Sequence, residues 1–214
     1  MSARPTPAND DGRGDGAGGE PVRLARDQRR EALLAAAVEI ASSGDLEALS
    51  MEAVAERAGV SRPLVYKHFA NRDELLGAVY RREASALHAE LARQVLAADT
   101  LEEMFAALVH GALDAAATRG PLFAALRAAG AWSPEVRREQ RVRDVDTSRL
   151  FASRATSELG VERRRATAAT GMLLTLIDAV LTQWRAKPTK EHAALLEDTY
   201  LTIVRASLAE LARG

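Results

Sequence analysis

Cysteine is absent from this chain of 214 residues. The absence excludes disulfide bonds, thiolate metal sites and a cysteine nucleophile, and it agrees with a reducing compartment such as the cytoplasm. The four histidines are scattered along the chain, without the His-x-x-x-His or Glu-x-x-His spacing of a helical metal site. We therefore expect no metal, no cofactor and no enzyme active site.

Aromatic residues are also scarce, at 4% of the chain, and no alternating run of β-branched residues is bounded by turn signals. Alanine and leucine, both strong helix formers, dominate the composition instead. We therefore predict an all-α fold. The formal net charge of -1 does not by itself indicate a nucleic-acid partner.

The first twenty residues lack the bulky apolar segment that a secretory signal peptide requires. They are rich in Gly, Asp, Asn and Pro, a composition that does not bury a core. We expect residues 1–22 to form a disordered tail.

Two short helices joined by a tight turn are predicted between residues 50 and 70. Ser50 occupies an N-cap position, and Gly59 supplies the left-handed backbone conformation that ends the first helix. Ser61 caps the second helix, whose first turn contains Pro63. This order of helix, turn and helix is typical of a DNA-binding domain.

The second of these helices has an apolar back and a basic front. Val65 and Phe69, four residues apart, face inward. The segment from residue 57 to residue 72 contains no acidic side chain, so its outward face is positive. The outward residues of the helix are Arg62, Tyr66 and Lys67.

We expect Arg62 and Lys67 to reach base edges in the major groove, with guanine as the preferred target. The residues expected to contact phosphates or to fix the register are Ser50, Ser61, Pro63, Tyr66, His68 and Arg72. Two of these have alternative roles, since Tyr66 can cover the domain's own core and His68 can pack against the next helix. The arginines at 23, 26, 29 and 30 either contact phosphates or are simply solvated.

The segment at residues 53–76 reads AVAERAGVSRPLVYKHFANRDELL. It closely resembles the DNA-binding domain of TetR/AcrR-type transcriptional regulators, whose pattern is roughly I-A-x-x-A-G-V-s-x-x-x-l-Y-x-h-F-x-x-K-x-x-L. Arg72 stands where most members have lysine, which retains the charge, and Pro63 replaces a small flexible residue. The matching positions are Val54, Ala55, Ala58, Gly59, Val60, Ser61, Tyr66, His68, Phe69 and Leu75.

Capping signals divide the rest of the chain into helices. Helix starts are marked at Asn71–Glu74, Thr100–Glu103, Ser133–Pro134 and Lys187–Thr189. Gly120–Pro121 is expected to break the second of these helices into two. The prediction is nine helices, with a three-helix DNA-binding domain in residues 23–70 and a six-helix ligand-binding and dimerisation domain in residues 71–214. The resemblance implies the same number.

Between Ala166 and Trp184 the only charged residue is Asp178, so the helix there has no face suited to water. Its threonines and Gln183 make it too polar for a membrane span. We expect it to be buried on all sides, between the chain's own core and a second subunit. The predicted dimer residues are Thr170, Leu174, Ile177, Leu181, Leu196, Tyr200 and Ile203.

A small apolar or amphipathic effector is implied by the resemblance, together with a body that combines apolar helices and isolated polar groups. No motif defines the effector, and ordinary core packing is the alternative role for each candidate. The predicted lining residues are Met104, Phe105, Leu108, Phe123, Trp132, Met172, Thr175 and Leu176.

These features predict a cytoplasmic homodimer that binds an inverted-repeat operator in double-stranded DNA. The resemblance implies that it is a bacterial ligand-responsive repressor. One alternative is a constitutive or architectural DNA-binding protein without an effector. Another is a helical protein-interaction module in which the helix-turn-helix has become a docking surface.

Overall fold

The computed structural model describes residues 19–42, 48–128, 131 and 133–213. Every regular element in these residues is an α-helix, which confirms the all-α prediction. The elements are α1 (Gly19–Ser42), α2 (Met51–Arg57), α3 (Arg62–His68), α4 (Arg72–Leu96), α5 (Leu101–Ala128), α6 (Pro134–Leu159), α7 (Arg163–Ala186) and α8 (Lys190–Leu211). Helix α1 begins inside the segment for which disorder was expected, while residues 1–18 lie outside the described range.

Side-chain caps begin four of the five body helices in the described residues, α4, α5, α6 and α8, where the sequence predicts them. Asn71 Oδ1 accepts the backbone N–H of Glu74 at 2.9 Å and so begins α4. Thr100 and Glu103 form a reciprocal capping box, in which each side chain accepts the other residue's backbone N–H at 3.2 Å. The side chains of Ser133 and Thr189 accept the backbone N–H groups of Val136 and His192 and so cap α6 and α8.

The break predicted at Gly120–Pro121 is wrong, because α5 continues through both residues. Among the described glycines only Gly59 and Gly160 have a positive φ, so Gly120 keeps a helical backbone. Pro121 has no backbone N–H to donate within the helix. Two residues later, Phe123 is buried in the N-terminal cluster, and this packing compensates for the missing hydrogen bond. Within the described residues the body has five helices rather than six, and the chain eight rather than nine.

Buried apolar side chains form two clusters. The N-terminal cluster joins α1 to α4 around residues such as Val54, Val65 and Phe69, and it takes in the end of α5 and the start of α6. The body cluster joins α5 to α8 around Phe105, Phe151 and Tyr200. Because α5 and α6 contribute to both clusters, they connect the body directly to the helix-turn-helix.

Candidate nucleic-acid interface and subunit face

The helix-turn-helix is held by local hydrogen bonds and a buried apolar back. Ser50 Oγ accepts the backbone N–H of Ala53 at 3.0 Å and begins α2. Gly59, with φ of 66°, turns the chain toward α3. The side chains of Val65 and Phe69 are fully buried, so the opposite face of α3 points outward.

The outward face of α3 carries the three side chains that the sequence assigns to it. Arg62 and Lys67 are exposed, and the Tyr66 side chain is 49% exposed in the free chain. One acidic group lies near them, since Glu52 Oε1 of α2 is 3.6 Å from Arg62 Nη1. The arrangement offers two cations and a phenol to a ligand in front of α3.

Arginines from α1 extend this positive face. The guanidinium of Arg30 lies 5.0 Å from the centroid of the Phe69 ring, which places α1 beside the end of α3. Partial burial lowers the pKa of His68, and the positive charges of Arg26 and Arg30 lower it further. The arginines of α1 therefore act on the same surface as Lys67 and His68. The Arg23 side chain lies outside the described residues.

Arg72 is half-buried, and its Nε donates a hydrogen bond to the backbone carbonyl of Leu49 at 2.7 Å. This contact ties the start of α4 to Leu49, two residues before α2 begins, a structural role that the family pattern does not reveal. The remaining predicted contact residues, Ser61 and Pro63, are exposed at the start of α3, and Ser61 does not cap the helix with its side chain.

The α7 helix is not buried on all sides in the single chain. One face packs into the body, while Met172 is 70% exposed on the other. Of the predicted dimer residues, Thr170, Ile177, Leu196 and Tyr200 are buried inside the chain's own body, Leu174 and Leu181 are half-buried, and Ile203 is exposed. The buried residues Ile177, Leu196 and Tyr200 pack in the chain's own body cluster. For example, the hydroxyl of Tyr200 donates to the carbonyl of Leu173 at 3.1 Å.

The residues predicted to line an effector pocket fall into separate groups. Met104 and Phe105 are buried in the body cluster, Leu108 packs against it, and Phe123 belongs to the N-terminal cluster. Met172, Thr175 and Leu176 are exposed on α7, and Trp132 lies outside the described residues. The structure therefore does not bring these side chains together around one cavity. A groove of 640 Å³ lies between α6 and α7, lined by other residues that include Ser148, Thr156 and Arg163.

An exposed apolar face spans α7 and α8, which pack against each other. Its largest members are Met172, Leu176, Leu195 and Ile203, of which Leu195 is 61% exposed. Of the seven residues predicted for the dimer, Ile203 lies on this exposed face, and whether the face binds a second copy stays a prediction. By length and composition α7 is the one helix in the described residues that is long and apolar enough to cross a membrane, yet its inner face is occupied by the body. The described residues contain no group of three potential metal ligands.

Residues 33–79 match the sequence model described as "Bacterial regulatory proteins, tetR family". The chain is 45% identical over 65 residues to the HTH-type transcriptional activator FasR of Mycolicibacterium smegmatis, covering 30% of each chain. It is 38% identical over 98 residues to the HTH-type transcriptional repressor KstR of the same organism, covering 46% of this chain and 48% of the relative. The matches thus span less than half the length of these relatives.

Solved structures share the fold over most of the chain. A transcriptional regulator from Rhodococcus sp. RHA1 has a TM-score of 0.62 at 24% identity, covering 86% of this chain and 96% of that chain. FadR from Bacillus subtilis, in complex with stearoyl-CoA, has a TM-score of 0.56 at 17% identity, covering 81% and 96%. The likeness shows that the arrangement of helices in the body, and not only the helix-turn-helix, recurs among regulators.

Proposed function

We propose that this chain acts as a regulator of the tetR family of bacterial regulatory proteins, whose sequence model matches its residues 33–79. It is a sequence-specific transcriptional regulator that binds an inverted-repeat operator as a homodimer and represses transcription until an effector binds. The observation that carries the proposal is the outward face of α3, where Arg62, Tyr66 and Lys67 are exposed above a fully buried back.

Recognition divides between base edges and phosphates. Arg62 and Lys67 present guanidinium and ammonium donors that suit the O6 and N7 acceptors of guanine. We assign phosphate contacts, which set register without reading sequence, to Tyr66, to Arg26 and Arg29 of α1 and to the hydroxyls of Ser50 and Ser61. We assign Arg72 a phosphate contact in addition to its bond to Leu49.

Dimerisation follows from the exposed apolar face of α7 and α8. Side chains such as Met172 and Leu195 are unusual on the surface of a monomer when they lie close enough to form one patch. A second copy that presents the same face would cover the patch around a two-fold axis. Two α3 helices related by that axis would engage successive major grooves, which accounts for an inverted-repeat operator.

The effector acts through the body. Because α5 and α6 contribute to both clusters, a ligand that shifts them also shifts the support of the helix-turn-helix. To move the dimer from almost entirely DNA-competent to almost entirely incompetent, the effector must favour the second state by about 5.5 kcal/mol. The stearoyl-CoA complex of the structural neighbour FadR supports an amphipathic effector here.

Repression is the proposed output, in a cytoplasmic protein without enzymatic activity. The named relatives include both an activator and a repressor, so the helix-turn-helix alone does not decide the direction of control. The position of the operator relative to the promoter decides whether a bound dimer blocks transcription.

The proposal is tested by selecting bound duplexes from a random DNA library with the purified protein, at a stated salt concentration. We expect one inverted repeat to be enriched. Arg62→Ala should weaken binding to that repeat by about 1–3 kcal/mol and relax the preference at one position in each half-site. Arg149→Ala, which removes an exposed arginine of the body, is the matched control and should change neither.

Two outcomes would contradict the proposal. Binding that depends on salt but not on sequence would indicate an architectural DNA-binding protein. Intact dimers without DNA binding would indicate an interaction module.

A further inference from the structure

One arginine of α6 has enclosed guanidinium nitrogens without a partner, whereas several arginines elsewhere in the described residues form ion pairs. Arg57, Arg82 and Arg205, for example, each donate to a glutamate carboxylate within 2.8 Å. Arg143, on α6, has two guanidinium nitrogens, Nε and Nη2, that are fully enclosed and have no hydrogen-bond partner among the described residues. Enclosing charged donors without partners is costly, so such groups normally face a counter-charge.

The two nitrogens form one edge of the guanidinium. The N–H bonds of Nε and Nη2 point in parallel from that edge, and this geometry matches the two oxygens of a carboxylate or a phosphate. An ordered water molecule offers this edge one oxygen and no counter-charge, whereas an oxyanion offers two oxygens and a negative charge. The chemistry of the edge therefore favours an oxyanion over a neutral ligand.

Arg143 lies between the two clusters along α6. Seven residues before it, Val136 belongs to the N-terminal cluster, and eight residues after it, Phe151 belongs to the body cluster. These spacings place all three residues on the same side of the helix. The charged edge is therefore flanked by apolar packing toward both ends of α6.

The same division is visible along α5. Leu113 is its last buried member of the body cluster, and Phe123 is its first buried member of the N-terminal cluster. Between them Ala115 is buried but belongs to neither cluster. Each of the two helices thus has an interval between its parts of the two clusters, occupied by the small side chain of Ala115 on α5 and by Arg143 on α6.

We propose that the effector is an amphipathic anion, and that the Nε and Nη2 edge of Arg143 binds its carboxylate or phosphate while an apolar chain packs against the adjoining cluster. This inference rests on the proposed function, since it names the chemical class of the effector. The site lies at the junction of the two clusters, where a ligand would alter the packing of α5 and α6 against the N-terminal domain.

Three probes with the same chain length test the charge requirement: dodecanoate, dodecyl phosphate and dodecan-1-ol, each titrated below its critical micelle concentration into the full-length protein. Isothermal titration calorimetry should give at least a tenfold tighter dissociation constant for one of the anions than for the alcohol, because a charge-assisted pair contributes more than a neutral one. The stronger of the two anions distinguishes a carboxylate from a phosphate headgroup.

Arg143→Met should reduce the preference for the anion to within about twofold, whereas Arg143→Lys, which keeps the charge but loses the parallel donors, should give an intermediate value. Arg149→Met is the control, because Arg149 lies on the same helix but is exposed and paired with Asp146. This control should bind like the wild type.

A second measurement does not depend on any ligand. Without a ligand, Arg143→Met should raise Tm by about 2–6 °C, because it removes two enclosed nitrogens that have no hydrogen-bond partner, while Arg149→Met should leave Tm nearly unchanged. The inference is overturned if the wild type shows no preference for either anion, including if none of the probes binds, or if the preference survives in Arg143→Met. Failure of operator selection with intact anion binding would instead contradict the proposed function alone.

Discussion

The ring of Tyr80 on α4 meets the ring of Phe123 on α5 edge to face, with centroids 5.3 Å apart and planes inclined at 72°. Both side chains belong to the N-terminal cluster, although α4 and α5 run on into the body. The contact therefore joins α5 of the body to the N-terminal part of α4, the helix that follows the helix-turn-helix. In the proposed mechanism, movement of α5 reaches the DNA-binding surface through this pair.

We predict that Tyr80 and Phe123 are energetically coupled. Tyr80→Leu and Phe123→Leu should each lower the free energy of unfolding, and the double variant should lose less than the sum by about 0.5–1.5 kcal/mol. Urea denaturation of the four proteins measures the coupling. Val142→Ala, at an exposed position of α6, is the control and should change stability by less than about 0.5 kcal/mol. Simple additivity would contradict the coupling.

Gly120→Ala should stabilise the protein by about 0.5–1 kcal/mol, because Gly120 is inside α5 and a Cβ there meets no atom within 4 Å. Gly59→Ala should do the opposite, since its φ of 66° strains any residue with a side chain. Chemical denaturation compares the two variants directly. A loss of stability in Gly120→Ala would mean that α5 ends at this glycine, as the sequence pattern alone predicts.

Glu52→Gln should tighten operator binding. Its carboxylate lies 3.6 Å from Arg62 and competes with DNA for that guanidinium. Fluorescence anisotropy on labelled operator should show a lower dissociation constant, most clearly at low salt. Glu102→Gln removes the same charge from a surface pair with Arg205 and is the control. Equal effects of the two substitutions would show that only net charge matters.

Met172→Glu should convert the dimer to monomers, because it places a charge at the centre of the exposed apolar face of α7. Sedimentation velocity measures the change in mass. Leu96→Glu alters an equally exposed leucine at the end of α4 and should leave the dimer intact. Operator affinity should fall only in Met172→Glu. A dimer that tolerates this substitution would place the subunit interface elsewhere.

His68 should make stability depend on pH. Its folded-state pKa lies below 6.5, so the unfolded chain binds more protons in the window just below that value. The free energy of unfolding is therefore unaffected by His68 above pH 6.5, and it decreases as the pH falls toward and through the folded-state pKa. Thermal melts from pH 8 to pH 5 should show the wild type losing Tm relative to His68→Gln as the solution is acidified. A constant difference between the two would refute the shift.

Much of the local structure follows from sequence because its causes are local. The caps at Ser50, Asn71, Thr100 and Thr189 each join groups three residues apart, and all of them form as the pattern predicts. The alternation of Val65 and Phe69 with outward cations likewise needs only the period of a helix. These features were sufficient to identify the helix-turn-helix.

Tertiary structure decided the rest, since burial depends on residues far apart in the chain. Gly120 and Pro121 have low helix propensity, yet α5 continues through them because Phe123 packs in the N-terminal cluster. The neighbours of α7 determine that Thr170 and Ile177 face inward and Met172 faces outward, which the apolar composition of that helix leaves open. The unpartnered edge of Arg143 is likewise visible only after α6 has been placed between the two clusters. Local sequence signals therefore predict where α2, α4, α5, α6 and α8 begin and which side chains α3 presents, while side-chain packing selects the surfaces that remain for a partner or an effector.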